Sequence, residues 1–254
     1  MIAILSPAKT LNMEKATNTD LYTKPVFLKD AGILMKELYK YTPPELESLM
    51  KINSKLAEES FNMHFKWSME HNLSNGKQAI LAYDGAVYRG ISGNDLNNDQ
   101  LSFGNEHIRI ISGLYGALKP LDLIQPYRLE METKLKNTSG NNLYSFWKYK
   151  LTNYFRGELD KQKQKVLINL ASKEYSSVID MDKLNAKVIT PIFKDYKAGT
   201  HKVITIYAKR ARGLMSRFII ENRITLPEDL KEFCEEGYNY NEYMSNDLEW
   251  VFIR

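Results

Sequence analysis

Short apolar runs recur from one end of this chain to the other, and several stop on a small polar or a basic residue. Met1-Ile2-Ala3-Ile4-Leu5 stops at Ser6, Ile111 at Ser112, Leu170-Ala171 at Ser172, and Tyr207-Ala208 at Lys209. Runs of this length suit buried strands, which read as continuous apolar segments. Between them, apolar residues fall at helical spacing, as in Ile33, Leu34, Leu38 and Tyr41, or Tyr144, Trp147, Leu151 and Phe155. Strands interleaved with helices predict one mixed α/β (α+β) domain over residues 1–254, built on a central mixed sheet. The chain shows no internal repeat, linker or low-complexity tract.

Local chemistry sets the expected elements. Strands are expected at Met1–Leu5, Gln78–Tyr83, His107–Ser112, Lys165–Ala171, Lys187–Phe193, Lys202–Ala208 and Trp250–Ile253. Helices are expected over Leu28–Tyr41, 43–51, 54–72, Leu143–Leu159 and Lys209–Arg223, with a short one at Pro227–Phe233. Ser6-Pro7 matches a helix start, Ser capping and Pro at the first position. Thr42-Pro43-Pro44-Glu45 is another, with Glu45 closing a capping box. Residues 92–105, rich in Asn, Asp, Ser and Gly, are expected to be loop.

Several function classes drop out. No run of about 18 apolar residues exists, so no membrane-spanning helix is expected. The first residues lack a basic segment and a long apolar core, so no signal peptide is read and the cytoplasm is the expected location. One cysteine, Cys234, excludes an intrachain disulfide and is expected to be buried rather than nucleophilic. His64, His71, His107 and His201 are scattered, without a Glu-x-x-His cluster, so neither metal nor cofactor is expected. The P-loop, the dinucleotide-binding glycine motif, the zincin helix, the Cys-x-x-Cys pair and the nucleophile elbow are all missing. No feature asks for an oligomer, which leaves a monomer as the simplest expectation.

Charge is distributed unevenly. Residues 187–223 balance at +7 and residues 224–254 at −6, against a whole-chain net charge of +4. The two blocks either pair with each other or leave a basic surface for an anion. The helix 209–223 carries Lys209, Arg210, Arg212, Arg217 and Arg223 with Glu221 as its only acid. On a helical wheel Lys209, Arg212, Ser216 and Arg223 share one stripe, while Arg217 meets Glu221 one turn later. If the strands lie parallel, their carboxyl ends bring Ser6, Lys9, Asn169, Ser172 and these cations to one edge. Ligands of open α/β sheets bind there, and helix amides with cations suit phosphate. Ordinary helix capping explains Ser6 and Ser172 equally well.

Leu49 to Ala57 has the spacing of a helix-hairpin-helix element, embedded at about 43–72. Ile52 is its central apolar residue, and Lys51 and Asn53 take the usual glycine positions. The turn amides, Ser54 and Lys55 would then grip a DNA phosphate. Any tight helical hairpin shares this pattern.

Taken together, the chain resembles the YaaA-like peroxide stress proteins. The matching runs include Ser6 to Leu11, Thr42 to Ala57, Ser112 to Gly116, Pro120 to Met131, Ile168 to Ser172 and Ala208 to Arg223. The resemblance implies a bacterial cytoplasmic protein of the hydrogen peroxide response that restrains free iron and DNA damage. It also implies DNA binding without sequence readout, by a basic cleft and a helix-hairpin-helix-like element. The cleft would comprise Lys9, Arg109, Arg128, Lys209, Arg210, Arg212, Arg217 and Arg223. Ala86 and Glu132 depart from the family pattern, which expects Asp and Gly there. Tyr127 and Tyr207 are candidates to stack on unpaired bases. A second reading is an enzyme acting on a nucleotide or phosphorylated small molecule, with Ser6, Glu130, Asn169 and Ser172 at the site. Glu130 would be its general base, or else a partner of Arg128.

Overall fold

The structure, a computed structural model, describes residues 1–14 and 17–254. Its main sheet has eight strands: β1 (Ile2–Leu5), β2 (Ile108–Ser112), β3 (Gly116–Leu118), β4 (Val166–Asn169), β5 (Lys187–Lys197), β6 (Thr200–Lys202), β7 (Asn239–Tyr240) and β8 (Glu249–Ile253). The order is β7-β8-β5-β4-β1-β2-β3, with β6 paired to β5. Strands β8, β5, β4, β1 and β2 run parallel, and antiparallel β7 and β3 close the two ends. The mixed central sheet is as the sequence predicts.

Around it lie α1 (Leu28–Leu38), α2 (Pro43–Met50), α3 (Ser54–Lys66), α4 (Ala86–Ile91), α5 (Asn98–His107), α6 (Leu143–Asp160) and α7 (Thr205–Glu221). Glu45 accepts from the amide and hydroxyl of Thr42, both at 2.7 Å, which is the expected start of α2. Asn142 caps α6 by accepting from the Ser145 amide at 2.8 Å.

Several elements differ from expectation. Gln78–Tyr83 is not one strand. Lys77–Gln78 pairs with Leu123–Ile124, Ala79–Ala82 is a helical turn, and Tyr83–Asp84 pairs with Thr10–Leu11. The amides of Ala79 and Ile80 donate to the carbonyls of Asp122 and Pro120, so the neighbouring loop overrides the local β preference. Residues 92–105 are largely helical, because Asn97 and Gln100 form a reciprocal capping box that starts α5. Helix α3 ends at Lys66, so His71 does not share its face. Residues Thr205–Ala208 belong to α7 rather than to a strand, which puts Lys209 in the helix's second turn and not at its start. Ser6-Pro7 starts no helix, and its chain runs on to Thr10 without one.

Helices α4 and α7 pack backbone to backbone. A Cβ on Gly213 would stand 1.9 Å from the Val87 carbonyl oxygen, and one on Gly90 would stand 2.5 Å from that of Arg210. Gly157 in α6 has nothing within 4 Å of such a Cβ. Gly213→Ala is therefore expected to destabilise by about 1–3 kcal/mol or more, the cost of overpacking. Gly157→Ala should stabilise by about 0.5–1 kcal/mol through helix propensity. Urea midpoints of the two variants should move in opposite directions.

Candidate functional site

Parallel pairing brings the carboxyl ends of β1, β2 and β4 together. Ile4 pairs with Arg109 on one side and Asn169 on the other, so Ser6, Ser112 and Ser172 follow at one edge. The Ser6 hydroxyl accepts from the Ser172 amide at 2.8 Å and donates to the Ser172 hydroxyl at 3.2 Å. Both serines thus tie two chain segments together. Asn169 caps its own turn, accepting from the Ala171 amide at 3.2 Å. The Ser6 carbonyl accepts from the Tyr88 hydroxyl at 2.9 Å.

Above this edge Lys9 and Glu130 form an ion pair at 2.6 Å, and Arg128 stands 3.8 Å from the same carboxylate. The pocket that Lys9, Arg128, Glu130 and Tyr175 help to line holds only about 20 Å³, room for about one water. Glu174, a residue that sequence reasoning missed, sits nearby on a one-turn helix. Burial raises its pKa first, and the charges of Glu130 and Glu132 raise it further, against Lys9. No sequence motif marks Glu174, because its neighbours come from a different part of the chain. A larger opening of about 850 Å³ lies beside α3, lined by Lys66, Trp67, Asp84 and Gln125 among others.

The expected cleft cations separate into two groups. Arg109 is not in a cleft: it is 2% exposed, pairs with Glu158 and donates to the Tyr154 hydroxyl at 2.9 Å. A guanidinium that dry requires such partners. Arg210 pairs with Glu236 at 2.6 Å. Arg217 pairs with Glu221 at 2.8 Å and donates to the Ile91 carbonyl at 3.1 Å, which fastens α7 to the end of α4. By contrast, Lys51, Lys55, Lys209, Arg212 and Arg223 have no ion pair among the described residues. Arg212 is half-buried, its buried Nε has no partner, and burial lowers its pKa. The expected stripe of Lys209, Arg212, Ser216 and Arg223 is not a solvent face. Ser216 is fully buried, and Arg223 lies past the helix end with φ 50°.

Between the two blocks, the acidic tail supplies Glu236 to Arg210, and the basic block supplies Asp195 to the tail's own Arg254. Arg254 pairs with Asp195 at 2.6 Å and stacks 5.1 Å from the Tyr207 ring, so that ring already carries a cation. Tyr127 cannot stack on a base: it is 7% exposed, bonded to Tyr83 at 2.6 Å and to Ser112 at 2.7 Å. Cys234 is exposed rather than buried, since only Phe233 beside it turns inward.

The α2–α3 hairpin forms as a tight turn. Lys51 adopts φ 54° and ψ 50°, the left-handed position that closes α2. Ile52 packs against the core. Asn53 is extended, not left-handed as a second glycine position requires, and its side chain caps α3 by accepting from the Leu56 amide at 2.9 Å. Lys51, Asn53, Ser54 and Lys55 are all exposed.

These features define an α/β protein with a tied strand-end edge and a set of cations left unpaired at a hairpin and on one helix. A family model described as peroxide stress protein YaaA matches residues 1–244. UPF0246 proteins of Burkholderia cenocepacia and Ralstonia nicotianae are each 45% identical over the whole chain, covering 98% and 99% of their own lengths. A UPF0246 protein of Dechloromonas aromatica is 44% identical, again over the whole chain and 99% of its own. The chain belongs to the peroxide stress protein YaaA family.

His64, on α3, has its Nε2 3.1 Å from the Arg128 carbonyl oxygen. Burial pushes its pKa from 6.5 down to about 4. The unfolded chain therefore binds a proton below pH 6.5 that the native state takes up only near 4. Stability should be full above that window and fall through it on acidification, by up to roughly 1.4 kcal/mol per pH unit. His64→Gln should flatten this loss in chemical unfolding series run between these pH values. An unchanged slope would remove His64 from the acid response.

Proposed function

We propose that the protein binds DNA through its phosphates, without reading base sequence, in a cytoplasmic response to hydrogen peroxide that limits free iron and DNA damage. The observation that carries this reading is the α2–α3 turn. It presents two exposed lysines without acidic partners beside the amides of Ser54 and Lys55 that open α3 and lack intrahelical acceptors, the Leu56 amide being capped by Asn53. A helix start with cations beside it suits a phosphate. Lys209 and Arg212 on α7 and Arg223 just past its end are further cations without an ion pair among the described residues. No helix among the described residues is long and apolar enough to cross a membrane. Iron is held in check, in this reading, without a resident iron site. No group of three or more His, Cys, Asp or Glu placed to hold a metal is found among the described residues.

Lys51→Glu with Lys55→Glu should weaken duplex binding while leaving the far-ultraviolet circular dichroism unchanged. Each cation–phosphate pairing removed should lower the slope of log affinity against log salt by about 0.9. A folded double variant with the parent's affinity removes the hairpin from the reading.

Arg212→Ala should lower both affinity and slope about equally across DNA sequences, since phosphate contacts carry no base information. Arg217→Ala should instead cost stability, because it deletes an ion pair and a hydrogen bond to a carbonyl. After dialysis against metal-free buffer, elemental analysis should find no stoichiometric iron.

A second reading is favoured by Arg212 alone. A half-buried guanidinium with an unpaired Nε suits a small phosphorylated ligand as well as a duplex. A thermal-shift series with nucleotides separates the two: one compound raising the melting temperature selectively supports the enzyme reading.

A further inference from the structure

Beneath the strand-end edge lies a run of buried aromatic residues that neither reading uses. Trp67, just past α3, donates its indole N–H to the Tyr115 hydroxyl at 2.8 Å. The Gln125 amide donates to the same oxygen at 3.1 Å. Two obligate N–H donors fill both lone pairs of that oxygen, so its own proton must be given away. The remaining neighbour is His71, whose Nε2 lies 3.1 Å away. Nδ1 lies 3.4 Å from the Met69 carbonyl and 3.2 Å from the Gln125 side-chain nitrogen, whose two protons go to the Ser68 and Glu70 carbonyls at 3.0 and 2.8 Å, so the tautomer that fits is the neutral one with its proton on Nδ1. Burial agrees, holding its pKa below the ordinary value. Tyr115 is 0% exposed and His71 is 1% exposed.

We infer that Tyr115, with His71 as its proton acceptor and Trp67 as its electron donor-acceptor neighbour, is a redox-active tyrosine that takes up oxidising equivalents arriving at Trp67. A phenol is hard to oxidise when its proton has nowhere to go, because the phenol radical cation is a very strong acid. An imidazole already hydrogen-bonded to the hydroxyl removes that obstacle.

The steps balance. A one-electron oxidant of the oxygen-radical class takes an electron from Trp67, leaving the indole radical cation. Trp67 recovers that electron from Tyr115, whose proton passes to His71 Nε2. The products are a neutral tyrosyl radical, an imidazolium and intact tryptophan. A thiolate then supplies an electron and leaves as a thiyl radical, while the imidazolium proton returns to the phenolate oxygen.

Access and placement support this sequence. Trp67 lines the 850 Å³ opening beside α3, whereas Tyr115 has no exposed atom to speak of. The Trp67 and His71 rings are 5.5 Å apart, and His71 and Tyr115 are 5.8 Å apart. Tyr115 meets Tyr127 edge-on at 5.3 Å. Tyr127 and Tyr83 bond to each other at 2.6 Å, and Tyr127 to Ser112 at 2.7 Å, all neutral hydroxyls that are poor proton acceptors. The oxidising equivalent therefore comes to rest on Tyr115, the member of this chain with a base.

The test uses azidyl radical, generated by pulse radiolysis, as the one-electron oxidant of the full-length protein. Tyr115→Phe is a weak probe, since it strands two buried N–H donors and can unfold the chain. Replacing Tyr115 with a ring-fluorinated tyrosine keeps both shape and hydroxyl. Freeze-quenched samples should give a tyrosyl electron paramagnetic resonance signal carrying fluorine splitting. Indole radical absorbance should decay as phenoxyl absorbance grows. His71→Leu should slow that transfer at least about tenfold, a barrier change of about 1.4 kcal/mol. A tyrosyl signal without fluorine splitting would overturn the inference. That result would mean the radical sits on other tyrosines among the sixteen, such as exposed Tyr243 or Tyr149.

Discussion

The burial of β1 is the constraint on which the rest of the molecule depends. Ile2, Ala3, Ile4 and Leu5 are each no more than 1% exposed, and the strand is hydrogen-bonded to parallel neighbours on both sides. Each large side chain buried there contributes about 1.5–3 kcal/mol. Register matters as much as burial. A slip of one residue would turn every side chain of β1 to the opposite face and move Ser6 about 3.3 Å along the sheet. The Ser6–Ser172 hydrogen bonds could not survive that shift, nor could the Tyr88 hydrogen bond to the Ser6 carbonyl. The strand-end edge is thus a consequence of how the first five residues pack.

The positive surface arises by subtraction. A buried guanidinium is tolerated only when paired and hydrogen-bonded, so Arg109 is consumed by Glu158 and Tyr154. Arg217 and Arg210 are consumed by acids at the ends of their reach, and the acidic tail supplies Glu236 for the latter. Of the cations singled out from the sequence, Lys51 and Lys55 at the hairpin turn, Lys209 and Arg212 on α7 and Arg223 just past its end have no ion pair among the described residues. Arg210 thus pairs with the acidic block, while other cations of the basic block, Lys209, Arg212 and Arg223, have no ion pair among the described residues.

The mixed sheet was legible because continuous apolar runs ending in Ser are a strong local signal, whereas the parallel direction of those strands was an assumption and the Tyr207-Ala208 run lies in α7. Also legible were the Thr42–Glu45 capping box and the Arg217–Glu221 pair, both set by short-range geometry. The misreadings share a cause. Gln78–Tyr83 has strand composition, but the carbonyls of Pro120 and Asp122 capture its amides, and those partners are remote in sequence. Asn97 and Gln100 were hidden inside a polar stretch that looks like loop until the reciprocal cap is noticed. The burial of Arg109 and of Tyr127 was illegible for the same reason: each is decided by residues far along the chain. Glu174 and the Trp67–Tyr115–His71 group have no sequence signature, since the long connections of the fold bring their members together.

The hairpin turn carries an electrostatic cost of its own. A helix N-terminus has partial positive charge and is ordinarily supported by acids in its first turn. Helix α3 has none there, and places Lys55 in that turn with Lys51 two residues before its cap, Asn53. Lys51 also holds a left-handed backbone, a conformation that costs a non-glycine residue roughly 1–2 kcal/mol. A cation next to the carbonyls that end α2 recovers part of that cost, since helix C-termini favour positive charge. The same cation next to the start of α3 does not, and neither does Lys55. The turn is therefore locally strained and locally overcharged in the absence of a counter-charge. Strain held at an exposed position points toward function more than toward stability. An anion seated between Lys51, Lys55 and the first amides of α3 relieves the electrostatic part of that cost, which is the physical reason the hairpin carries the DNA-binding reading.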